Sequence, residues 1–149
     1  AGVVTDPKSL VIRDALPNTD FGLTNNTWLS PALVNNTEVT FLTVALNNKR
    51  HVAFYGVWTE AAAPAISMLY FRIGAAGSTT FALFNLESLY AEQEPVGYFS
   101  EPIIYAPNET LFIRMLPRAT NAAGERIGLK CLIAEPKGEQ VSGAREVSI

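Results

Sequence analysis

Residues 37–59 read TEVTFLTVALNNKRHVAFYGVWT, and the pattern inside this stretch decides the fold class. Val39, Phe41 and Thr43 recur at every second position, the period of a strand with one face buried. Val, Thr, Phe and Tyr dominate both halves of the stretch, as they do in strands generally. Asn47-Asn48 interrupts the pattern with a turn signal. The reading is two strands, over 37–46 and 51–59.

Working outward, the same alternation of short β-prone runs and Gly, Pro, Asn or Ala breaks continues in both directions. It predicts further strands over 28–34, 66–74, 79–86, 96–104, 109–116 and 126–135, with Leu111, Ile113 and Met115 again marking a period of two. Breaks fall at Asn35-Asn36, Ala61 to Pro64, Ala75 to Ser78, Glu92 to Pro95, Pro107-Asn108 and Asn121 to Gly124. Eight strands at this spacing describe an all-β antiparallel sandwich or barrel. Helical periodicity is confined to Phe84–Tyr90, which has room for a turn or two, and to the Ala-rich 61–65, which Pro64 interrupts.

The runs 40–46 and 66–71 carry apolar residues at successive positions, so both faces of those strands call for cover. A subunit contact is the simplest cover on the outward side.

With 149 residues, of which 48% are apolar and 17% charged, the chain has the size and balance of one folded domain. Residues 1–27 read as an N-terminal arm, 28–135 as the β domain and 136–149 as a polar C-terminal tail. The arm mixes turn signals with one apolar run, Leu10-Val11-Ile12, suited to adding as an edge strand. A net charge of −3 with scattered Lys and Arg leaves no electrostatic footprint for nucleic acid. No apolar stretch approaches the roughly 20 residues of a membrane helix. The opening Ala-Gly-Val-Val-Thr-Asp-Pro-Lys has neither the basic nor the apolar segment of a signal peptide, so the expectation is that none was made or that it was removed. Cys131 is the sole cysteine, which excludes an intrachain disulfide and suits folding in a reducing cytoplasm. Sequons at Asn25, Asn35 and Asn108 are read as exposed turns.

Chemistry is thin. His51 is the only histidine, which removes a two-histidine metal site and leaves one position on which a Ser/His/Asp triad could be built, with no Gly-x-Ser-x-Gly elbow to serve it. It reads as an ordinary strand residue at a surface, and Cys131, inside an apolar run, reads as a small buried thiol. Glu87, Glu92, Glu94, Glu101 and Glu109 could supply the carboxylate pair of a glycosidase, but they stand in loops or at strand ends where solvation suffices. Neither phosphate-cradling glycine motif occurs, and Asp is found only at 6, 14 and 20, too dispersed for a calcium loop. The expectation is a non-enzyme with no cofactor and no metal. Among the aromatics, core packing and subunit contact come first, and a sugar-stacking platform, for instance Tyr98 with Glu101, stays open.

The stretch Glu101-Pro102-Ile103-Ile104-Tyr105-Ala106-Pro107-Asn108-Glu109-Thr110-Leu111-Phe112-Ile113-Arg114, a polar loop, and then Ile127 to Gly138 resemble the last strands of jelly-roll cement or decoration proteins of tailed-bacteriophage capsids. The resemblance covers about a third of the chain. It implies an eight-stranded jelly roll that forms a homo-oligomer, a trimer, on the capsid exterior of the virion after synthesis in the host cytoplasm. Its partner would be the major capsid protein, with no nucleic acid or membrane bound. On that reading the partner-binding residues are Leu10, Val11 and Ile12 of the arm with Phe21 and Trp28 at the arm–core junction, unless these pack back on their own domain. The alternative is a carbohydrate- or receptor-binding jelly-roll module of a phage tail or cell surface.

Overall fold

A computed structural model describes residues 10–60, 64–74, 79–93 and 95–136. Residues 1–9 of the expected arm and 137–149 of the expected tail lie outside them, as do most of the Ala-rich 61–65 and Glu94. The described strands are β1 (Leu10–Asp14), β2 (Val39–Ala45), β3 (His51–Thr59), β4 (Ile66–Ile73), β5 (Thr79–Asn85), β6 (Val96–Tyr105), β7 (Thr110–Pro117) and β8 (Ile127–Pro136), with short helices α1 (Pro17–Phe21) and α2 (Glu87–Ala91). They form two four-stranded sheets, in the orders β1-β8-β3-β6 and β2-β7-β4-β5. All pairs are antiparallel.

The pairings β1·β8, β2·β7, β3·β6 and β4·β5 are those of one long hairpin. Rolling that hairpin up brings β8 onto β3 and β7 onto β4, which closes the two sheets of a jelly roll. The fold class expected from the alternating runs is therefore the one observed.

The strand pattern sets the core directly. Along β7 buried Leu111, Ile113, Met115 and Pro117 alternate with partly buried Phe112, Arg114 and Leu116. Phe54, Phe71 and Tyr105 meet in the centre, with Phe54 and Tyr105 edge to face at 6.1 Å. The buried Tyr105 hydroxyl is satisfied by donating to the Arg72 carbonyl at 2.9 Å.

One predicted strand is corrected. Residues 28–34 form no strand; they meet the loop at 121–125 locally, through hydrogen bonds between Ser30 and Glu125 and a Leu33–Asn121 bridge. Pro31 has no N–H for a ladder, and Asn36 turns the chain with a φ of 57°. The eighth strand is instead β1, built from the apolar run of the expected arm and paired with β8 from Leu10↔Pro136 to Asp14↔Leu132. Helix α1, also within the expected arm, begins at Pro17, where a missing N–H costs nothing, and is closed by Gly22 at a φ of 74°.

Polar chemistry fastens this N-terminal part to the sandwich. Arg13 makes a bidentate pair with Asp20, both contacts 2.8 Å, and donates to Glu135 at 3.0 Å. Arg50 lies 3.6 Å from Asp20 and 3.5 Å from Glu135. All four side chains are buried. Two positive and two negative charges thus join β1, α1, the start of β3 and the end of β8.

The expectation that 40–46 and 66–71 need outside cover is also revised. A bulge between Thr40 and Leu42 turns Phe41 and Leu42 both inward, at 6% and 1% exposure. On the outer face of the second sheet, Glu38 pairs with Arg72 and Arg114, and the Arg72 guanidinium lies 5.1 Å over the Tyr70 ring. These strands supply most of their own cover.

Candidate protein-docking face

The exposed apolar surface gathers elsewhere. Of the seven large apolar side chains left exposed among the described residues, Phe81, Leu83, Tyr98 and Ile104 line one groove of about 400 Å³ along the β5–β6 side of the sandwich. Its position follows from topology. β5 ends one sheet and β6 ends the other, so two unpaired edges run side by side.

The two edges differ. β5, TTFALFN, contains no charge and no proline, the devices that usually protect an edge. Its register with β4 slips between Phe71 and Arg72, which leaves Phe81 as the extra residue, its ring 5.2 Å from Tyr105. Leu83 faces outward opposite Tyr70 and is 57% exposed. β6 departs from β3 between Tyr98 and Ile103, opposite the Phe54/Gly56 irregularity, and the excursion carries Glu101 and Pro102. That bulge blunts β6 as a pairing edge and leaves β5 as the free one. Beneath, Phe84 and Phe99 approach to 5.0 Å and join the groove to the core. Tyr98, 67% exposed, stacks on Tyr55 at 6.4 Å and 16°.

The five arm residues named from sequence do not form one patch. Ile12 is 64% exposed on the outer face, Val11 is partly buried opposite Glu135, and Leu10 pairs through its backbone with Pro136. Phe21 is core, 6.0 Å from Phe54, and Trp28 packs between Phe21 at 5.8 Å and Phe41 at 6.3 Å. Phe21 and Trp28 therefore pack on their own domain. Phe81 and Leu83 were legible as strand residues only, because periodicity does not say which strand ends a sheet.

The other candidates take ordinary places. His51 is exposed at the start of β3. Cys131 is buried, and burial pushes its thiol pKa well up, which keeps it a thiol. Glu87 holds Ser67 and Arg118, the latter at 3.0 Å, and its pKa is lowered by the Arg118 and Ser67 hydrogen bonds. Glu109 accepts from the Ala106 N–H. Among the described residues no three His, Cys, Asp or Glu side chains gather as metal ligands, and no helix is long and apolar enough to cross a membrane.

These features define a jelly-roll domain with an apolar groove between the β5 and β6 edges of its two sheets. Neither a protein-family model nor a curated protein matches the chain.

Proposed function

We propose that the chain is a non-enzymatic structural protein that self-associates, as a trimer, through its β5–β6 side and in that form reinforces a viral capsid from the outside, bound to the major capsid protein. The observation that carries the self-association is the clustering of Phe81, Leu83, Tyr98 and Ile104 beside an uncharged free edge. Such an edge offers backbone donors and acceptors to a strand of a second copy, and the groove offers apolar burial with Glu101 as its one charge. A closed ring of copies covers every such edge, whereas an open chain of copies leaves one exposed. The capsid part of the reading rests on the sequence resemblance of the last strands to phage decoration proteins, with which the jelly-roll topology is compatible. Three equivalent contacts to a shell raise avidity by orders of magnitude without any one of them being strong.

The test is co-sedimentation with shells assembled from the major capsid protein of a tailed bacteriophage. The reading expects saturable binding of trimers to the shell. A protein that stays in the supernatant at saturating concentration contradicts the capsid assignment.

A further inference from the structure

A second concavity lies on the opposite side of the first sheet, away from the free edge of β5. β1 stops at Asp14 and covers only the C-terminal part of β8, so the side of β8 around Leu129–Cys131 opens into a cleft of about 270 Å³. Three aromatic side chains line it, Trp28, Trp58 and Tyr55, with Asp14 and Lys130 as its charged groups.

The aromatic groups are held. Trp58 packs against Gly128, so close that a Cβ there would fall 2.2 Å from its Cε2. Trp28 is wedged by Phe21 and Phe41, and Tyr55 is stacked on Tyr98. Rings fixed in this way lose little rotamer entropy on binding a ligand. The charged groups are available: Asp14 and Lys130 form no side-chain hydrogen bond or ion pair with the described residues. Asp14 sits opposite Leu132, two residues along β8 from Lys130, which places the two on one face at the diagonal spacing of roughly 7–8 Å.

We infer that this cleft binds one pyranose residue of a saccharide, its C–H face against the indole of Trp58 and its hydroxyls held by the Asp14 carboxylate and the Lys130 ammonium. A sugar ring needs this combination of a flat apolar surface and charged hydrogen-bonding groups at its rim. At about 270 Å³ the cleft falls just below the usual range of roughly 300–1,000 Å³ for small-molecule sites, which suits a single ring. The inference stands apart from the assembly reading, since its residues lie outside the β5–β6 groove except that Tyr55 touches Tyr98.

Tryptophan fluorescence of the full chain, titrated with the methyl glycosides of glucose, galactose, mannose and N-acetylglucosamine, tests it. At least one glycoside should give a saturable change. Asp14→Asn and Lys130→Ala, both at the rim, should each weaken that binding about tenfold or more with the melting temperature unchanged. Trp58→Ala should abolish it, and Trp58→Phe, which keeps an aromatic face over Gly128, should restore part of it. No saturable change with any of the four, or full affinity in the Asp14 and Lys130 variants, overturns the inference.

Discussion

Asp20 shows how much of this fold rests on single residues. Its carboxylate accepts from the Nη1 and Nη2 of Arg13, faces Arg50 and accepts the Leu16 N–H at 2.7 Å. Removing one partner of a buried charged group strands the others without compensation. Asp20→Ala should therefore cost about 3–5 kcal/mol, read as a shift in urea midpoint. Glu125 is the opposite case. It is buried, its Oε1 accepts the Ala65 N–H at 2.7 Å, and its Oε2 has no hydrogen-bond partner among the described residues. Burial raises its pKa above 4.5, so the folded state holds the proton more tightly than the unfolded chain. Its contribution to stability is full below the unfolded pKa and falls as pH rises through the folded one. Glu125→Gln should flatten that part of the stability–pH curve, measured by thermal melts from acid to neutral pH, and an unchanged slope would contradict it. Neither group was legible in the sequence. Arg13 and Glu135 are 122 residues apart, and no local pattern marks two distant charges as a buried pair.

At the scale of elements, seven of the eight expected strands are found close to their expected bounds, because an alternating run flanked by turn residues is a local signal. The segment 28–34 misleads because Trp28 and Leu33 are apolar for tertiary reasons, while Leu29 and Val34 stay exposed. Leu33 fills the core, while Pro31 and Asn36 prevent a ladder. The run Leu10-Val11-Ile12 was legible as an edge strand, though not its partner. The loop at 121–125 does for 28–34 what a strand would otherwise do, and Gly124 is its tightest point. With a φ of 76° and a Cβ position 2.3 Å from the Ser30 carbonyl oxygen, it admits no side chain. Gly124→Ala should cost about 1–3 kcal/mol from backbone strain, with the added clash on top, and calorimetry gives the number.

For the whole molecule, the jelly roll follows from one nested hairpin, and a sequence-level strand count comes close to it without fixing which strands end the sheets. That missing knowledge is what located the docking face. β5 and β6 are both strand-like in sequence, but only the sheet order makes them neighbours across an open side. Leu83→Asp, on an exposed outward position, should change the stability of the isolated domain by less than about 0.5 kcal/mol while removing self-association. An unchanged oligomer in that variant would place the contact elsewhere on the surface.

The central claim, that this chain works as an assembly through its β5–β6 side, is tested most directly by its mass in solution by light scattering. The account predicts a species near three times 16.2 kDa that Leu83→Asp converts to monomer. A species of 16.2 kDa at every concentration would contradict it.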